Sequence, residues 1–127
     1  MNIKSLILIK LCLVVGVNCC ASISSNQVET IANAIGRVEN SQRYPFGIKS
    51  IDTHGDKDYA RKICINTIKN NIIRFKNQTN YNDYFIFLGS RYCPVVGDKT
   101  GLNKNWVFNL KNQLGTKFVN QFNKDIK

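Results

Sequence analysis

IANAIGRVENSQRYPFGI, residues 31–48, reads as the end of an amphipathic helix that stops on a glutamate, followed by a short aromatic loop that closes on a glycine. The helix is expected to begin near residues 24–26, with Ser25 or Asn26 as its cap. Advancing about 100° per residue from Val28 brings Ile31, Ala32, Ile35 and Val38 within about 80° of it, with Arg37 opposite. Glu39 falls about 20° from Val28, so a carboxylate is expected on the face that packs inward. The loop that follows, residues 40–51, holds Pro45 and Gly47 among Tyr44, Phe46 and Ile48.

The remainder of the chain also has helical rather than alternating periodicity. A polar turn over residues 51–55 precedes a long helix opened by Asp56 or Lys57 and running to about Lys76. Its apolar stripe is Cys64, Ile68, Ile72 and Phe75. Residues 77–82 form a loop. A third helix over residues 83–92 is expected to end at Cys93–Pro94, because the residue before proline is pushed out of helical geometry. A second loop over residues 94–100 leads to a helix that starts near Leu102 or Asn103. On that helix Asn103, Trp106, Val107, Leu110 and Leu114 share a face. Gly115 interrupts it, and the tail to Lys127 reads as a frayed turn. The expected fold is all-α, a single domain of four to five helices with two glycine-containing loops.

At 127 residues the chain holds one domain at most. Residues 1–21 read as a signal peptide. Lys4 and Lys10 accompany an apolar run over residues 6–17, followed by small residues at a cleavage-like site. The run is short for a membrane span, so no stable span is expected once the signal is removed. A lipoprotein site fits poorly, since Asn18 precedes Cys19 and Cys19 precedes Cys20. The domain is then residues 22–127, with secreted or periplasmic localisation. Of five cysteines, Cys64 and Cys93 remain, which suggests one disulfide; two buried free thiols are the alternative. A single histidine, His54, and no paired ligand spacing argue against a metal site, and no cofactor is indicated. The net charge is +10, and removing Lys4 and Lys10 leaves +8. A basic exported domain meets anionic partners such as wall polymers, membrane surfaces or nucleic acid. Its positive charges are scattered rather than clustered, which argues against nucleic acid.

The chain has two glutamates. Glu29 lies in the first turn of its helix, where negative charge is favourable. Glu39 lies on the core stripe at the helix C-terminus, where burial and the helix dipole both disfavour the ionised form. A carboxylic acid so placed suits protonation of a glycosidic oxygen. The alternative is a helix-end glutamate that swings into solvent or pairs with Arg43. Tyr44, Phe46 and Trp106 are candidates to stack on sugar rings, Tyr92 to face the cleft, and Asn103 to bind polar substituents. Closure of the core competes for these roles, most strongly for Trp106. Asp52 and Asp56 read as turn and cap residues. There is no Gly-x-Ser-x-Gly and no phosphate loop, and His54 has no neighbouring cysteine.

These pieces resemble the lysozyme-like superfamily of goose-type lysozymes and lytic transglycosylases. AIGRVEN ending in Glu39 and the loop YPFGI match its first two motifs. RKICINTIKNN, FIFLGSRYCP and LNKNWVFNL look like a small bacterial and phage-associated branch. Departures are visible. Asn40 stands where a serine usually follows the glutamate, Phe46–Gly47–Ile48–Lys49 replaces a Gly-Leu-Met-Gln loop, and Arg91–Tyr92–Cys93–Pro94 only approximates an Ala-Tyr-Asn motif. The resemblance implies a lysozyme-like fold and an exported enzyme that cleaves the bond between N-acetylmuramic acid and N-acetylglucosamine in peptidoglycan glycan strands. Glu39 would be the catalytic acid, with Tyr92 near it. Tyr44, Phe46, Gly47, Ile48, Asn103 and Trp106 would line the substrate groove. A non-catalytic wall-binding protein, or an accessory of a secretion or surface apparatus, is the second class.

Overall fold

The computed structural model describes residues 22–92 and 101–127. Residues 1–21, read above as a signal peptide, and residues 93–100, which include Cys93 and the expected second loop, lie outside the described residues. Five α-helices and one 3-10 turn make up the described residues, without a strand, so the chain is all-α. They are α1 Ser25–Glu39, the turn Pro45–Gly47, α2 Lys57–Lys76, α3 Tyr84–Tyr92, α4 Leu102–Leu114 and α5 Thr116–Asp125.

Helix α1 packs against α2, α4 and the 3-10 turn, which makes it the centre of the fold. Ser24 is its cap, rather than Ser25 or Asn26. The Ser24 hydroxyl accepts from Gln27 N at 3.2 Å, and the Gln27 side chain accepts from Ser24 N at 2.9 Å. Gln27 stands three residues on, where its side chain closes this reciprocal box. Val28, Ile31, Ala32 and Ile35 are buried as the stripe requires. Ala34 lies off that stripe and is also fully buried, because a helix with neighbours on several faces needs small residues outside its main stripe. The helix ends at Asn40, which adopts φ 34° and donates its N–H to Gly36 O at 3.1 Å. Asparagine tolerates this left-handed cap better than most residues.

Asp56 caps α2 by accepting from Asp58 N and Tyr59 N. Its stripe Cys64, Ile68, Ile72 and Phe75 is buried as expected. Asp83 caps α3, with Oδ1 accepting from Phe85 N and Ile86 N. Its other oxygen accepts from Lys111 Nζ at 2.8 Å on α4 and from Asn123 Nδ2 at 3.1 Å on α5. One carboxylate thus pins three helices at a common end.

The C-terminal tail departs from expectation. It is not a frayed turn but the helix α5, and Val119, Phe122 and Ile126 enter the core. Their spacing, with Phe118, follows the helical period once the chain restarts after Gly115. Phe122 packs on Tyr84 and Phe85, with ring centroids 5.1 and 5.4 Å apart. Tyr84 extends this aromatic cluster to Phe75 and donates its hydroxyl to Ile68 O at 3.0 Å. No helix among the described residues is long and apolar enough to cross a membrane.

Candidate active site

Glu39 is the last residue of α1, and its side chain is half-buried. Two residues distant in sequence fix it. The Trp106 indole Nε1 donates to Glu39 Oε1 at 2.7 Å, at the short end of the range for N–H···O bonds. On another side the carboxyl group lies against Gly47. A Cβ built on Gly47 would stand 2.6 Å from Glu39 Cδ and 2.8 Å from each oxygen, and Gly47 has φ +69°. Both the space and the backbone conformation therefore require glycine here. Arg43 does not pair with Glu39; its guanidinium lies over the Tyr44 ring. Among the described residues no donor reaches Oε2 of Glu39.

Trp106 is itself held from behind. Tyr92 stacks on it with centroids 5.1 Å apart and planes 17° from parallel. The Tyr92 hydroxyl donates to Cys64 Sγ at 3.2 Å. The order Cys64, Tyr92, Trp106, Glu39 links α2, α3, α4 and α1 through side chains alone. Burial pushes the Cys64 thiol up to about 11, and the Glu39 charge adds to the rise while the Tyr92 hydrogen bond and Arg61 oppose it. Burial also drives the Tyr92 phenol well above its ordinary range, with Cys64 and Glu39 contributing. Both groups therefore stay protonated through the neutral range, so Tyr92 keeps its donor proton. The disulfide expected between Cys64 and Cys93 is absent from this arrangement. Cys64 is a buried free thiol whose sulfur faces the Tyr92 hydroxyl, and Cys93 lies outside the described residues.

The remaining candidates divide. Phe46 is half-buried and adopts φ 58°, and its ring packs on Gly36, where an added Cβ would meet Phe46 Cε1 at 2.8 Å. Ile48 is core, 9 % exposed, and does not line a groove. Trp106 is equally buried, so its ring holds Glu39 rather than offering a stacking face. Asn103 donates to Gly89 O at 2.9 Å across the α3–α4 crossing. Gly89 allows that crossing, since a side chain there would overlap Val107 and crowd Trp106. Tyr44 lines a pocket with Arg43 and Lys49, and Glu39 is not among the residues lining it.

Other described carboxylates have occupations elsewhere. Glu29 pairs with Arg61, Asp52 with His54, and Asp125 accepts from Gln27 and Gln121. Asp56 and Asp83 cap helices, and Asp58 lies in the exposed first turn of α2. No group of metal-binding side chains occurs among the described residues. Comparison with protein-family models, with curated proteins and with solved structures gives no match for this chain. Sequence reasoning missed the bond from Trp106 to Glu39 and the anchoring of Tyr92 by Cys64. The one available signal was the core-facing phase of Cys64 and Trp106, which says that both point inward but not at what.

Proposed function

We propose that the chain is an exported peptidoglycan-cleaving enzyme of lysozyme-like character, a lytic transglycosylase or muramidase, in which Glu39 is the catalytic acid. The observation that carries this reading is the seat of Glu39. One oxygen is fixed by Trp106 Nε1 at 2.7 Å, the carboxyl rests on a residue that must be glycine, and no described donor reaches the other oxygen. A donor on Oε1 leaves Oε2 as the position for the acid proton, which passes to the glycosidic oxygen as the bond breaks. After bond cleavage the same oxygen recovers a proton, either from the muramoyl 6-hydroxyl, which closes an anhydro ring, or from water. The occupation of the other described carboxylates elsewhere favours a mechanism with one acid.

Glu39→Gln tests the assignment. The glutamine carbonyl still accepts from Trp106, so the fold is expected to persist, while release of soluble muropeptides from purified sacculi is expected to vanish. Mass spectrometry of the wild-type products distinguishes anhydro ends from reducing ends. Full product release by Glu39→Gln overturns the catalytic assignment. Binding of wild-type protein to sacculi without any product favours a wall-binding or secretion-apparatus accessory protein instead.

A further inference from the structure

A concave site lies beside the Glu39 loop. It is a pocket of about 410 Å³ formed by Arg43, Tyr44, Lys49 and the turn Asp52, Thr53 and His54. Arg43 Cζ stands 5.2 Å from the centre of the Tyr44 ring, and Lys49 Nζ stands 5.8 Å from it. Two exposed cations thus gather on one ring. Neither forms an ion pair with a carboxylate among the described residues. Asp52, the one carboxylate lining the pocket, is engaged by His54. It accepts from His54 N at 2.9 Å, and its second oxygen lies 3.3 Å from His54 Nδ1. The Tyr44 hydroxyl makes no hydrogen bond among the described residues.

Like charges gathered on one ring repel, and at an exposed site the ring offsets only about 0.5–1 kcal/mol for each. An oxyanion that binds both offsets the repulsion. It can also take two parallel bonds from the guanidinium fork and a third from the phenol. Location identifies its source. Tyr44 directly precedes the turn Pro45–Gly47, and its carbonyl accepts from Gly47 N at 2.9 Å, while Gly47 touches the Glu39 carboxyl group. The pocket therefore adjoins the turn that seats Glu39, and the anion assigned to it is one carried by the strand whose glycosidic oxygen Glu39 protonates. In wall glycan that anion is a carboxylate of the peptide branch, not a phosphate on a separate polymer. We infer that the Arg43–Tyr44–Lys49 pocket is a subsite for a free carboxylate of the peptide stem. This inference rests on the wall-cleaving reading above.

The test uses Glu39→Gln protein, so that binding is read without cleavage. The ligands are glycan strands from sacculi stripped of phosphate polymers, with stems whose carboxylates are either free or blocked as methylamides. Strands with free stem carboxylates are expected to bind about 10-fold more tightly, with the preference shrinking as salt rises. Adding Arg43→Gln and Lys49→Gln is expected to bring the ratio close to one, and each single change to give an intermediate ratio. Circular dichroism of these surface variants checks that they fold. An equal affinity for both strands, or a preference that survives loss of both cations, overturns the subsite. Cleavage by wild-type protein separates the two ideas. Cleavage of both strands without any carboxylate preference removes the subsite and leaves the enzyme reading intact. A carboxylate preference without cleavage of either strand removes the enzyme reading and leaves the subsite standing.

Discussion

Gly47→Ala is the sharpest test of how the acid is held. The substitution asks an L-residue to adopt φ +69°, which costs about 1–2 kcal/mol. It also places a methyl carbon 2.6 Å from Glu39 Cδ, against an ordinary carbon–carbon contact of about 3.5–4.0 Å. The carboxyl group must retreat by about 1 Å, and a 2.7 Å bond from Trp106 stretched by that much is no longer a hydrogen bond. Its loss adds about 1.5–3 kcal/mol. Together the two effects destabilise the fold by about 2.5–5 kcal/mol, within the reserve of about 5–15 kcal/mol of an ordinary domain. With Glu39 as the catalytic acid proposed above, a displacement of about 1 Å is expected to slow wall cleavage by about 100-fold.

Gly101→Ala separates strain from collision. Gly101 has φ +72°, and an added Cβ there meets nothing within 4 Å among the described residues, so only the backbone penalty of about 1–2 kcal/mol applies. Urea unfolding followed through Trp106 measures both variants, because the chain has a single tryptophan and it contacts the acid directly. Muropeptide release measures activity. If Gly47→Ala is no less stable than Gly101→Ala, Glu39 is not seated on Gly47. If it is less stable but cleaves the wall at the wild-type rate, the seat is real and does not govern the reaction.

Trp106→Phe keeps an aromatic ring against Tyr92 and removes the only described donor to Glu39; product release from sacculi is expected to fall about 10- to 100-fold as the carboxyl group loses the bond that positions it. The Cys64 thiol ionises near 9.0 in the unfolded chain and at about 11 in the folded one, so between those values the unfolded state holds fewer protons and stability falls as pH rises. The fall totals about 3 kcal/mol, is absent below pH 9, and should be missing from the urea unfolding of Cys64→Ala, leaving the decline due to the raised Tyr84 and Tyr92 at higher pH. Phe122→Ala is expected to cost about 3–5 kcal/mol in the same unfolding experiment, whereas a tail outside the core would tolerate it.

The elements were legible wherever one face is apolar and one is not. The phase of α1 placed Glu39 inward, and the stripe of α2 placed Cys64, Ile68, Ile72 and Phe75 in the core, because a helix period of 3.6 can be read from a single chain. Helix α5 escaped notice because Gly115 looked like an end. Glycine at φ +85° ends α4 and starts α5 at once, and only the packing of Phe122 on Tyr84 and Phe85 decides that the second helix persists. Trp106 was legible as an inward residue but not as the donor to Glu39. That bond spans 67 positions, and neither residue's local pattern contains the other.

The surroundings of the acid explain why such contacts stay hidden from pattern reading. Three of them are made possible by side chains that are missing. Gly47 leaves the volume that the Glu39 carboxyl group fills, Gly36 leaves the volume under the Phe46 ring, and Gly89 lets Val107 and Trp106 close on α3. Gly36 and Gly89 lie inside helices, where glycine is about 1 kcal/mol less favourable than alanine. Helix propensity alone therefore argues against both. Each is accounted for by the group pressed against it: the Phe46 ring of the Glu39 loop on Gly36, and Val107, with Trp106 beside it, on Gly89. Substituting alanine at Gly36 or Gly89 raises local helix propensity and still disturbs the site. The resulting conflict, a stronger helix with a displaced acid, is what distinguishes a glycine kept for room from one kept for flexibility.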